Sequence, residues 1–100
     1  MKRKTKIDCM MTAGKSRPVE AITDTTMLGL AVAPSVVSWG DYKYAVIHIA
    51  SGRVAATTKT RAHAWRIVAA LAPLGDWTKP ADELDKDMVR AAKIIAYRQL

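Results

Sequence analysis

Apolar residues recur along the chain first at strand spacing and later at helical spacing. Tyr44-Ala-Val-Ile-His-Ile-Ala50 reads as a strand, Ser51-Gly52 as a two-residue turn of the primed type, and Arg53 to Lys59 as the returning strand. That turn predicts pairing of Ala50 with Arg53, Ile49 with Val54, His48 with Ala55 and Ile47 with Ala56. Upstream, Val19 to Thr23 and Met27 to Val37 are also of strand type. Pro34 has no N–H to give to a ladder, so a strand there is expected at a sheet edge or broken at that point. Gly40-Asp41 can close a second hairpin onto Tyr44. A meander of three strands follows.

The period then changes. Thr60 is a good N-cap for a helix through about Ala72, whose Ala64, Trp65, Ile67, Val68, Leu71 and Ala72 share one face while His63 and Arg66 look away. Pro73 and Gly75 end it. A second helix is predicted over about 80–99, with Asp82, Glu83, Asp85 and Asp87 at its start and Arg90, Lys93 and Arg98 at its end, complementing the helix dipole. Its buried stripe is Leu84, Met88, Ala91, Ala92, Ile95 and Ala96. Residues 1–18 show no such period and read as a basic arm ending at Pro18; residues 19–100 read as one domain. The expected fold is α+β: a small three-stranded antiparallel sheet packed by two helices, with a basic N-terminal arm.

Alternation in the hairpin sorts its residues into two faces. One carries Val37, Tyr44, Val46, His48 and Thr57, with Trp39 and Tyr42 near the turn and Arg53 and Lys59 at the margins. The other carries Val36, Ala45, Ile47, Ile49, Val54 and Ala56. The second set is purely aliphatic and is expected to meet the helices. That leaves the aromatic face either covered by the N-terminal segment or open as a platform for bases and phosphates.

Charge sharpens this picture. The hundred residues carry a net charge of +7, unevenly placed. Lys2, Arg3, Lys4, Lys6, Lys15 and Arg17 crowd the first twenty residues, and Arg53, Lys59, Arg61 and Arg66 occupy a stretch from 51 to 75 that holds no acid. Such an excess favours a polyanionic partner, because each phosphate neutralised releases a counterion. No apolar run approaches the roughly 20 residues of a membrane span. The basic start is not followed by the apolar stretch of a secretory signal, and Cys9 is the one cysteine, so a cytoplasmic protein without membrane association is expected.

Candidate catalytic chemistry is thin. Ala13-Gly-Lys-Ser16 looks like the end of a phosphate-binding loop, but the glycine that the signature needs five positions earlier is Cys9. His48 and His63 have no carboxylate or thiol at metal-ligand spacing, so no metal and no cofactor is expected. Cys9 in a basic arm is a position where a thiol pKa can fall, yet no histidine partner can be assigned to it. Neither helix-turn-helix nor zinc-finger spacing is present to argue base-specific reading. The Ala62, Ala69 and Ala70 surface of the first helix would permit close helix contact in a homodimer.

Tyr44-Ala-Val-x-His-x-x-Ser-Gly52, followed by Thr60-Arg-Ala-x-Ala64 and Leu71-Ala-Pro-Leu-Gly-Asp-Trp-Thr78, resembles a pattern in short bacterial and phage proteins of mobile-element type. The resemblance covers about a third of the chain and implies an origin rather than an activity, so it transfers no functional residues. Small phage proteins of this kind include inhibitors of host machines, among them the anti-CRISPR proteins.

The sequence therefore predicts a basic binding protein, not an enzyme. Its partner is expected to be nucleic acid, met by Lys2, Arg3, Lys4, Lys6, Lys15, Arg17, Tyr44, His48, Arg53, Lys59, Arg61 and Arg66. The alternative is an inhibitor that docks on a nucleic-acid-processing protein complex.

Overall fold

The N-terminal residues are sheet, not arm. In the computed structural model, which describes residues 2–10, 16–34 and 43–98, five strands form one sheet in the order β1-β2-β3-β4-β5. They are β1 (Lys2–Met10), β2 (Ser16–Asp24), β3 (Leu30–Pro34), β4 (Tyr44–His48) and β5 (Arg53–Thr58). Every neighbouring pair is antiparallel. Two helices follow, α1 (Arg61–Leu71) and α2 (Lys86–Arg98), each flanked by short 3-10 turns. The class is α+β as expected, but the three-stranded sheet and the arm are both corrected.

The correction has a physical cause. β1 alternates Lys2, Lys4, Lys6 and Asp8 on one face with Arg3, Thr5, Ile7 and Cys9 on the other, so its polar half hides the strand period. Among its described side chains Ile7 and Cys9 are the buried ones, against Ala21 and the alanines of β3 and β4. A charged outer strand is a common way for a sheet to protect its edge. Here β1 also approaches β5, so the sheet is strongly coiled.

Two apolar layers lie on the two faces of the sheet. Leu30, Val32 and Val46 meet Ala64, Ile67, Val68 and Leu71 of α1, Met88 and Ala92 of α2, and Trp77. Ile7, Cys9, Ala21, Ala31, Ala33, Ala45 and Ile47 form the opposite layer. The expected assignment of faces is thus inverted. Tyr44, Val46 and His48 look toward the helices, whereas Ala45, Ile47 and Ile49 look away from them. Because both faces are buried, aliphatic character alone could not tell which one receives helices.

The hairpin differs in detail as well. β4 ends at His48, residues 49–52 form a longer turn with Gly52 at φ +72°, and the Gly52 N–H donates to the His48 carbonyl at 2.8 Å. His48 pairs with Arg53 and Ile47 with Val54, and an irregularity then sets Val46 against Ala56. The extra residue, Ala55, is a bulge, and it brings Ala56 to the helix layer beside Val46. Residues 27–29, expected in a strand, lie in the turn before β3, and Pro34 ends that strand. Val36, Val37, Trp39, Gly40, Asp41 and Tyr42 lie outside the described residues.

α1 starts where predicted, with the Thr60 side chain accepting from the His63 N–H at 3.2 Å. α2 starts later than predicted. Asp85, two residues after the 3-10 turn Ala81–Glu83, caps the helix, its Oδ1 accepting from the Asp87 N–H at 2.8 Å. Among the described residues, no helix is long and apolar enough to cross a membrane.

Candidate nucleic-acid interface

The residues of the His-x-x-Ser-Gly and Asp-Trp-Thr segments converge. His48 Nε2 lies 2.8 Å from the Trp77 carbonyl oxygen, and its Nδ1 lies 2.7 Å from Ser51 Oγ. A carbonyl can only accept, so Nε2 carries a proton, and in the neutral tautomer Nδ1 accepts a hydrogen bond from the Ser51 hydroxyl. Ser51 Oγ in turn accepts from the Arg53 N–H at 3.2 Å. The Trp77 indole N–H donates 2.7 Å to the carbonyl of Leu71, satisfying one of the exposed carbonyls at the end of α1. His48 and Trp77 also meet edge to face, centroids 6.2 Å apart at 69°. Gly29, at φ +91°, lies so close to the Trp77–Thr78 peptide that a Cβ would overlap it.

This geometry has the connectivity of a serine–histidine pair with a carbonyl as the third member. The backbone donors beside Ser51 are already used, Gly52 N–H on the His48 carbonyl and Arg53 N–H on Ser51 Oγ. No backbone pair is left there to hold an oxyanion. What the arrangement does is tie the Trp77 loop, the hairpin and the end of α1 together.

Cations and aromatics meet elsewhere, along one flank of α1. Lys2 Nζ sits 4.8 Å from the Trp65 ring centroid, and the Arg61 guanidinium 5.7 Å from that of Tyr44. Arg61 and Trp65 are one helical turn apart, so the two contacts lie on the same side of the helix. Tyr44 and Trp65 are half-buried; Lys2 and Arg61 are exposed. Lys4 follows Lys2 on the same face of β1, opposite Ile22. Lys59 immediately precedes the cap of α1, and Lys43, beside Tyr44, donates its N–H to the Thr58 carbonyl at 2.9 Å. Lys43, Lys59 and Arg61 are therefore gathered at one end of the β4–β5 pair.

The predicted set divides on this scaffold. Lys2, Tyr44 and Arg61 come together at the α1 flank, with Lys4 on the same face of β1 as Lys2 and Lys59 directly before the Thr60 cap. Lys6 faces Glu20 across the β1–β2 ladder, and Arg3 lies opposite Thr23 on the other face of the sheet. Arg66 is exposed on the outer side of α1, beside Ala62 and Ala69 at helical spacing. His48 and Arg53 sit at the far end of β4, about 13 Å along the strand from Tyr44, with His48 buried in the helix layer. His48 is therefore not on an open platform. Lys15 lies outside the described residues, as does the side chain of Arg17, whose backbone pairs with Cys9. Sequence reasoning missed Lys43, because Asp24 and Asp41 outweigh it in its own stretch of chain.

Two carboxylates are perturbed. Asp24 accepts from the Thr26 N–H at 2.9 Å and the Thr26 hydroxyl at 2.7 Å, which holds its pKa down to about 2; Lys2 Nζ lies 3.9 Å away. Asp76 accepts from the hydroxyl and N–H of Thr78, which lowers its pKa too. Burial pushes the Cys9 thiol up, the reverse of the shift expected for an exposed basic arm. Among the described residues, no three His, Cys, Asp or Glu side chains gather where a metal ion could be held.

No protein-family model, curated protein or solved structure significantly matches the chain. The functional reading therefore rests on its own residues.

Proposed function

We propose that the chain is a small non-catalytic protein that binds nucleic acid along the flank of α1. The observation that carries this reading is the pair of cation–aromatic contacts one helical turn apart, Lys2 on Trp65 and Arg61 on Tyr44. Cations beside half-exposed rings suit a strand that offers phosphates and base faces together. Lys4, Lys43 and Lys59 extend the positive surface on either side. Nothing in this arrangement reads base edges, so binding is expected to depend on salt and little on sequence.

The test is a titration of a short labelled single strand at low and moderate salt, with Trp emission recorded in parallel. Binding should weaken with salt, and Lys59→Gln with Arg61→Gln should weaken it about tenfold or more. An inorganic polyphosphate chain supplies the anion without bases. If it binds as tightly as the oligonucleotide, the aromatic half of the reading fails; if neither binds, the whole of it does.

A second reading has its own support. Leu28 is 65 % exposed and borders an apolar surface with Ile49 and Ala50. Exposed apolar surface of this kind suits a protein partner. It fits an inhibitor of mobile-element origin that docks on a nucleic-acid-processing complex. A pull-down complex that survives nuclease would favour it, and recovery of nucleic acid alone would count against it.

A further inference from the structure

We infer that the pocket between the β4–β5 hairpin and α2 binds a small organic anion: an apolar body of about ring size carrying one carboxylate. The cavity measures about 240 Å³. At roughly 30 Å³ per water it holds the volume of about eight waters, which matches a ligand of about nine heavy atoms. Its walls are apolar, with Val54 from β5, Leu84 before α2, and Val89 and Ala92 from α2 itself. Buried Trp77 closes the inner side.

The charge of the lining selects the ligand. Arg53 and Lys93 both border the cavity, from different elements, and no Asp or Glu lines it. The exclusion of acids is local, since Asp85 and Asp87 at the start of α2 line a different depression on that helix. Both cations are exposed, and neither makes an ion pair among the described residues. Two like charges beside one apolar cavity repel each other unless an anion sits between them.

The remaining polar groups do not compete. Ser51 Oγ donates to His48 Nδ1 and accepts from the Arg53 N–H, and His48 Nε2–H is held by the Trp77 carbonyl. Recognition thus falls to the two cations for the carboxylate and to the apolar walls for the body. A pocket of this kind, apolar with a few convergent polar groups, is the usual form of a small-ligand site. It lies at the far end of β4 from the α1 flank and is independent of the nucleic-acid reading.

Benzoate is the test ligand, benzamide its neutral isostere and inorganic phosphate the anion without an apolar body. Proton–nitrogen NMR of the full chain follows the Trp77 indole N–H. Benzoate should shift that resonance saturably, with benzamide and phosphate each at least tenfold weaker. Lys93→Met and Arg53→Met should each weaken benzoate several-fold, and together remove its advantage over benzamide. Val89→Phe should fill the cavity and abolish binding while far-UV circular dichroism stays native; should that variant unfold, the two cation variants still decide. Lys59→Gln with Arg61→Gln should leave benzoate binding unchanged. Equal binding of benzoate and benzamide, equal binding of phosphate, or shifts confined to Trp65 would each overturn the proposal.

Discussion

Replacing His48 with alanine should remove the tie between hairpin, loop and helix. The imidazole is 5 % exposed and makes hydrogen bonds of 2.8 Å to the Trp77 carbonyl and 2.7 Å to Ser51 Oγ. Losing two neutral hydrogen bonds removes about 1 kcal/mol each. The Trp77 carbonyl, packed against Gly29, is then left without a donor, which raises the cost of that bond toward the upper end of about 1–3 kcal/mol. The edge-to-face contact with Trp77 adds about 0.5–1.5 kcal/mol. The total is about 4–5 kcal/mol, a large part of the roughly 5–15 kcal/mol that holds a domain of this size together. Each kcal/mol lowers Tm by about 4–8 °C at this length, so His48→Ala should lose at least about 16 °C. Urea unfolding read by Trp fluorescence should show a lower midpoint at unchanged slope. Ser51→Ala removes only one partner and should cost about 1 kcal/mol. If His48→Ala costs no more than Ser51→Ala, the ring is a surface residue of the turn and the reasoning fails.

Three other outcomes follow from the same structure. Asp24 is held by Thr26 at a pKa of about 2, below its ordinary 3.8, so its stabilising effect is present above pH 4 and lost as pH falls toward 2. Asp24→Asn should flatten that part of the acid limb; an unchanged limb would dismiss the Thr26 contacts as its source. Cys9 is buried with a raised pKa, so a disulfide reagent should modify it only when urea unfolds the chain, and rapid native labelling would contradict its place in the core. Removing residues 1–10 deletes β1 with Ile7 and Cys9 and should leave an unfolded chain, whereas a folded remainder with native Trp emission would restore the arm.

Which parts of this structure could be read from residues alone depends on how strongly local chemistry insists. Thr60 announced the start of α1, and Pro73 with Gly75 its end, because caps and breakers act within one turn. The presence of the β4–β5 hairpin was legible for the same reason, but neither its register, set by a longer turn than Ser51-Gly52, nor its bulge at Ala55 was, since a bulge answers to packing on both sides of the sheet. β1 was invisible because a charged outer strand carries few buried side chains, among the described ones Ile7 and Cys9. The choice of face failed at Ile47 and Val46 alike, both fully buried. The cations at positions 2, 4, 59 and 61 were visible as charge, but the approach of Lys2 to Trp65 and of Arg61 to Tyr44 needed the coiling of the sheet. Trp65 was assigned to the core of its helix; its second role under Lys2 belongs to tertiary structure alone.

In the proposed function, cations along α1 neutralise phosphates. The most direct measurement is the slope of log affinity against log salt for a short single strand, compared with a variant in which Lys2, Lys4, Lys59 and Arg61 are glutamine. Four phosphates no longer neutralised predict a slope less steep by about 3 for the variant than for the native chain. A variant that keeps the native slope, or a native chain indifferent to salt, would contradict the account.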